Sequence, residues 1–328
     1  MHNTVLSRKK IVLIVAYMRS GSTLMGSVFQ AYPDTFYSFE PLRFLPKAFD
    51  KLNTIKTHVE LKYINGTKRK YSASKKEAVI ANEINGWLNC KLESISTLSL
   101  KTGLNRHFMK YRSVFHHCSK KYISKSCLQM AIRSCHKTPL VALKFIRLRM
   151  KEIAKLLPFY PNMKIVHLVR DPRGIFNSRM NSKAITANNY QTSVQLVCIN
   201  ITEDVKSSKN IQQTYTDKVK ILHYEDLAEC PLETARSLIE FIGLKFVKSV
   251  QIHIKQQTNA LHDAGAFNTK RKNSTKTANK WRSQIDPVMA RYIYKTCKTS
   301  NSVLGYLPLD SVQMLRDQTI PSRKIKLE

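Results

Sequence analysis

Short, dense apolar runs punctuate a polar and basic chain, and each ends in a turn or beside a charged residue. Residues 11–17 form the first: seven apolar residues, mostly β-branched and aliphatic, patterned like a strand buried on both faces. A turn of glycine and hydroxyl residues follows, after which Leu24, Met25, Val28 and Phe29 recur at helical spacing. Residues 36–39 make a short extended piece, and residues 141–146, 163–169 and 218–223 read as further strands. Between and after them Leu148, Ile153, Leu156 and Leu157 predict a helix that stops at Pro158. Asp171 and Pro172 are a natural N-cap and first helical residue, so another helix starts there. Residues 191–210, 232–242 (closed by Gly243) and 287–297 predict more helices, and residues 78–100 are helical in part. Repeated β–α units with short connections define an α/β chain: a mainly parallel sheet flanked by helices on both faces.

Other segments are less regular. Residues 51–76 carry eight Lys/Arg against Glu60 alone, with weak periodicity, and read as a surface insertion of helix and loop. Residues 101–150 hold twelve Lys/Arg and no acid, which makes either a solvated basic face or a polyanion-binding one. Residues 251–285 are polar and basic, a loop that is either disordered or ordered over an anionic ligand with Trp281 as anchor. The expected organisation is one domain over residues 1–310 with a basic, mostly helical insertion at about 46–135, then a loose tail at 311–328.

Charge narrows the partners. Lys+Arg 55 against Asp+Glu 22 gives +33, so the ligands of this chain are polyanions. The seven cysteines include no C-x-x-C pair, and His116 and His117 beside Cys118 lack further ligands, so no metal site is predicted. The odd count leaves free buried thiols or a few disulfides plus one thiol equally open. Sequons at Asn65, Asn200 and Asn273 favour a lumenal protein. Neither a membrane span nor a signal peptide is legible, so the expectation is a soluble chain or one lacking its targeting segment.

The candidate chemistry sits at the strand ends. Arg19-Ser20-Gly21-Ser22-Thr23-Leu24 follows the first strand: arginine for an oxyanion, hydroxyl donors, and a glycine that lets backbone approach a ligand. It is not a Walker loop, because Ser27 follows Gly26 where a lysine would stand. Arg170 leaves the strand at 163–169, with Ser178 about two helical turns further on, and makes a second anion site unless Arg170 merely pairs with Asp171. Glu40, before Pro41, leaves residues 36–39 at what would be the same sheet edge, where ligands bind in open α/β folds. Lys144 is a candidate for leaving-group contact or for pairing with Glu40.

Both loops, in this order, resemble the sulfotransferases that use 3′-phosphoadenosine 5′-phosphosulfate (PAPS). Tyr224-Glu225-Asp226-Leu227 and Lys280-Trp281-Arg282 are also similar to stretches of the Golgi carbohydrate sulfotransferases. The resemblance implies the P-loop-NTPase-like sulfotransferase fold. It implies that residues 19–24 wrap the 5′-phosphosulfate, with Arg19 stabilising the leaving phosphate, and that Arg170 and Ser178 hold the 3′-phosphate. It further implies that Trp281 and Arg282, with the basic loop before them, close over the nucleotide, and that Glu40 is the general base. The implied acceptor is a 6-hydroxyl of galactose, N-acetylglucosamine or N-acetylgalactosamine in a glycan or glycosaminoglycan. No metal and no nucleic acid are required, and the implied location is the Golgi, although the family's membrane anchor is not visible upstream of the strand. Two competing readings are a protein-tyrosine sulfotransferase and a non-catalytic polyanion binder; the second lacks the interleaved aromatics of a single-strand binding face.

Overall fold

A parallel five-stranded sheet carries the molecule. The computed structural model describes residues 9–104, 124–265 and 268–324, with the backbone alone at Ala187. The strands are β1 (Lys10–Val15), β2 (Thr35–Phe39), β5 (Leu140–Phe145), β6 (Met163–Val169) and β7 (Val219–His223); β3 (His58–Lys62) and β4 (Lys68–Ser72) form a separate hairpin. The sheet order is β2-β5-β1-β6-β7. Val15 lies opposite both Phe145 and His167, Phe39 opposite Lys144, and Val169 opposite His223. All five strands therefore end at one edge.

The principal helices are α1 (Ser22–Gln30), α2 (Leu45–Asp50), α3 (Lys76–Leu88), α4 (Lys125–Lys137), α5 (Pro172–Asn181) and α6 (Tyr190–Thr214), then α7 (Tyr224–Glu229), α8 (Pro231–Phe241), α9 (Lys248–Thr258), α10 (Ser274–Asn279), α11 (Pro287–Thr296) and α12 (Val312–Arg316). Alternation along β1 divides the core. Ile11, Leu13 and Val15 face the hairpin, α3 and α4 around Trp87, while Val12 and Ile14 face α1, α8 and α9. Each such side chain, fully removed from water, contributes about 1.5–3 kcal/mol. A third cluster seats α5, α6 and α11 together beyond β6.

Three expectations are corrected. Residues 51–76 are not helix and loop but contain the β3–β4 hairpin. Val59 and Leu61 turn inward between exposed His58, Glu60 and Lys62, and Asn65-Gly66 makes the turn with Gly66 at φ 86°. Residues 251–285 are only partly loop, because Val250 and Ile254 sit one helical turn apart on the buried face of α9. Residues 311–324 are docked rather than loose: Leu315 of α12 is buried, and Leu307 N–H donates to the Ser322 carbonyl at 2.8 Å. His116, His117 and Cys118 lie outside the described residues.

Disulfides Cys90–Cys135 and Cys198–Cys297 tie α3 to α4 and α6 to the end of α11. Cys127 is also disulfide-bonded, and Cys230 is a free, exposed thiol. Of the sequon asparagines, Asn65 and Asn273 are exposed, whereas the Asn200 carboxamide accepts from the Arg149 guanidinium. Among the described residues no helix is long and apolar enough to cross a membrane.

Candidate active site

The loop after β1 is a tight turn. Ser20 N–H and Oγ both donate to the Tyr17 carbonyl, at 3.1 and 2.7 Å, and Ser20 is fully buried. Its hydroxyl is consumed by the turn, which corrects the expectation that it faces a ligand. Arg19 stands at φ 71° and Gly21 at φ 87°. A Cβ on Gly21 would lie 2.1 Å from the Tyr224 ring, so only glycine fits. α1 starts at Ser22 with no side-chain cap, leaving its first amides and the positive end of its dipole for an anion.

The second loop is sewn to the first. Arg170 donates to the Arg19 carbonyl at 2.9 Å, and Arg19 Nε donates to Ser178 Oγ at 2.9 Å. Buried Arg179 donates to the Met18 carbonyl at 3.1 Å, its proton affinity lowered to about 10 by burial. The alternative pairing of Arg170 with Asp171 does not form. Asp171 caps α5 and is taken by Arg173, at 3.0 and 2.8 Å. Arg170 instead lies 4.5 Å over the Tyr224 ring, and its buried Nε has no hydrogen-bond partner among the described residues. Burial, then Arg170 and Arg271, lower the proton affinity of Arg19. These guanidiniums are gathered where an anion is needed to offset them.

Glu40 leaves β2 at φ 50°, its N–H continuing the ladder to the Lys144 carbonyl at 2.9 Å. Lys144 Nζ donates to Glu40 Oε1 at 2.9 Å and lies 3.5 Å from the Phe39 ring centroid. Lys144 is thus the partner of Glu40, one of its two expected roles. Burial lowers its proton affinity to about 8, with Glu40 opposing. Glu40 Oε2 accepts no hydrogen bond among the described residues, although Arg147 and Arg43 stand at 3.6 and 3.8 Å. That oxygen is buried between the two guanidiniums.

A cavity of about 580 Å³ joins these groups. Arg19, Gly21, Ser22, Thr23, Leu24, Glu40, Arg170, Ser178 and Trp281 all line it. The charged side chains lining it are six cations (Arg19, Arg43, Arg147, Arg170, Arg271, Lys280) and two carboxylates, Glu40 and Asp263. Arg282 is turned away, which corrects its expected contact with the nucleotide. Its guanidinium donates to the carbonyls of Met314, Leu315, Asp317 and Ile320 and holds the C-terminal segment. Sequence reasoning missed Tyr224, Arg147 and Arg271 as site residues; the first two stand just past strand ends, which was the signal available.

A buried relay supports the loop from below. Tyr17 Oη donates to Asp204 at 3.0 Å and so accepts from His167 Nε2 at 3.0 Å, while His167 Nδ1 accepts from Ser208 at 2.8 Å. Burial lowers the His167 pKa to about 3, keeping the ring neutral. Its role is positional.

The sheet edge, where ligands bind in open α/β folds, gathers two linked arginine loops and one carboxylate around a single cavity. The chain belongs to the sulfotransferase family: the profile described as "Sulfotransferase family" matches residues 12–248. Carbohydrate sulfotransferase 1 of Danio rerio is 27% identical over 346 residues, covering 96% of this chain and 82% of that protein. Carbohydrate sulfotransferase 3 of Homo sapiens is 24% identical over 330 residues, covering 91% and 67%. Among solved structures, the sulfotransferase domain from the Synechococcus PCC 7002 olefin synthase shares the fold, with TM-score 0.50 and 16% identity over 92% of this chain and 97% of that one.

Proposed function

We propose that this sulfotransferase moves the sulfuryl group of PAPS to a sugar hydroxyl, a 6-hydroxyl of galactose, N-acetylglucosamine or N-acetylgalactosamine in a glycan or glycosaminoglycan. One observation carries the reading: two cationic loops, linked through Arg19–Ser178 and Arg170–Arg19, face a cavity that Glu40 also lines. Their excess of positive charge fits a nucleotide bearing anions at both its 3′ and 5′ positions. The family supports sulfuryl transfer, and the names of its relatives support sugar acceptors.

When bound, the donor supplies an activated sulfuryl group on a phosphate leaving group. Glu40 Oε2 takes the proton of the acceptor hydroxyl, within the general-base range of about 10²–10⁴ in rate. Arg19 and the amides at the start of α1 hold the charge that gathers on the departing phosphate. Arg170 and Ser178 fix the far phosphate, and Trp281 and the segment ending in Lys280 cover the nucleotide. Disulfides fit folding in an oxidising lumen, in keeping with a Golgi location.

The test is labelled PAPS offered with desulfated glycans and with tyrosine peptides. Label is expected on sugar; label on tyrosine alone overturns the acceptor class, and no donor binding by calorimetry at low salt overturns the whole reading. Arg170→Ala is expected to weaken donor affinity more than tenfold, since a hydrogen bond to a charged group is worth about 1.5–3 kcal/mol. Unchanged affinity would remove Arg170 from the 3′-phosphate.

The rate should also depend on Lys144. Below about pH 8 it is charged and the Glu40–Lys144 pair is neutral. Above that the ammonium loses its proton, and the positive charge available to the anionic sulfuryl group falls by one, with Arg147 and Arg43 still beside Glu40. kcat/KM is therefore expected to fall above about pH 8, and Lys144→Arg, which stays charged, should move the fall upward. An identical pH profile in that variant refutes the assignment.

A further inference from the structure

Tyr224 and Glu225, which open α7, meet the second anion loop at two points. Tyr224 carries the Arg170 guanidinium over its ring at 4.5 Å, and Glu225 Oε1 accepts from the Asp171 N–H at 3.1 Å. Two consecutive residues of one element thus hold two consecutive residues of the other, at the point where Arg170 leaves β6. Glu225 is buried and does not line the cavity. Its Oε2 accepts from Tyr306 Oη at 3.1 Å, so neither of its donors is a cation. Burial raises its proton affinity, with His223 and Arg170 opposing. A buried carboxyl held by neutral donors is less stable than an apolar group of its size, so stability alone does not account for it. What it adds is direction.

Arg170 needs that support because its own bonds are few. It makes one short hydrogen bond, to the Arg19 carbonyl at 2.9 Å, and a long one to the Ala278 carbonyl at 3.4 Å, while Nε makes none among the described residues. The C-terminal segment closes the arrangement from behind. Tyr306 is buried with the His223 ring edge-on at 5.4 Å, and the Leu307 carbonyl accepts from Arg173, the partner of Asp171. Arg323 pairs with Asp226 and Glu229 of α7, both at 2.7 Å. The starts of α5 and α7 are therefore clasped together on the side away from the cavity.

Resting on the proposed use of PAPS, we infer that Glu225, seated by Tyr306, is a positioning residue that aims Arg170 at the 3′-phosphate and so sets the preference for nucleotides bearing that group. It touches no ligand itself. Without it the entry to α5 and the Tyr224 platform are no longer joined, and Arg170 loses its direction. The first loop, closed by its own Ser20–Tyr17 turn, keeps its hold on the 5′ end.

Calorimetry on the full chain tests this with two nucleotides: 3′-phosphoadenosine 5′-phosphate (PAP) and 5′-AMP, which lacks only the 3′-phosphate. The preference for PAP is expected to shrink about tenfold in Glu225→Ala and at least about threefold in Tyr306→Phe, with AMP affinity unchanged. Glu225→Gln, which can still accept from the Asp171 N–H, should restore part of it. With labelled PAPS the loss should appear in KM and leave kcat in place. In an Arg170→Ala background neither substitution should reduce the preference further, because the effect runs through Arg170. Tyr306→Phe keeps the ring and its packing, and decides the matter if Glu225→Ala does not fold. Equal loss of PAP and AMP binding, a preference unchanged in folded variants, or a loss that adds to that of Arg170→Ala overturns the assignment and leaves PAPS as donor. An unaltered chain that binds PAP no better than AMP, or binds neither, overturns the donor reading itself.

Discussion

Glu40→Gln is expected to bind the donor as the parent does and to lose about 10²–10⁴ in turnover, the usual contribution of a positioned base. The substitution is nearly isosteric, and the amide oxygen still accepts from Lys144, so the strand end keeps its hydrogen bond. What disappears is the proton affinity of Oε2, the oxygen that no described donor engages. Single-turnover measurement with labelled donor separates this from a binding defect. If turnover survives, the proton leaves by another route and Glu40 is a structural partner of Lys144.

Gly21→Ala should damage the site from the opposite side. At φ 87° an alanine is disfavoured by about 1–2 kcal/mol, and its methyl would fall 2.1 Å from the Tyr224 ring. Relieving such overlap costs about 1–3 kcal/mol more. The ring cannot yield quietly, because the Arg170 guanidinium rests on it at 4.5 Å. One methyl group therefore disturbs both arms of the grip, and donor affinity is expected to fall well beyond tenfold alongside a lower melting temperature. Wild-type affinity by calorimetry would show that the loop tolerates a side chain and that Tyr224 is not its platform.

Much of this was legible before any coordinates. The sheet strands announced themselves because buried parallel strands are nearly unbroken apolar runs, and placing Arg19, Glu40 and Arg170 at strand exits placed them at one edge. The failures share a cause: long cationic residues hide pattern. Lys62, Lys68, Arg69 and Lys70 masked a hairpin whose inward residues are Val59, Leu61 and the half-buried Tyr71, although Asn65-Gly66 marked its turn. Lys- and Gln-rich α9 hid its two buried apolar residues, Val250 and Ile254, in the same way. Arg282 was misassigned because a motif gives a residue's place in the chain and not the direction of its side chain; here four carbonyls of the C-terminal segment claim it. Ser20 erred likewise, its hydroxyl closing its own turn.

Arg19 and Glu40 both hold backbone angles that suit glycine or asparagine, at φ 71° and 50°. Each such residue costs about 1–2 kcal/mol. Selection for stability alone therefore pulls against Arg19, a position the proposed chemistry uses. A thermostability screen run without an activity readout will enrich glycine or asparagine at residue 19, whereas at residue 40 the buried ion pair with Lys144 outweighs the strain. Engineering of the chain is better directed at exposed positions away from the sheet edge, with residues 19 and 40 held constant.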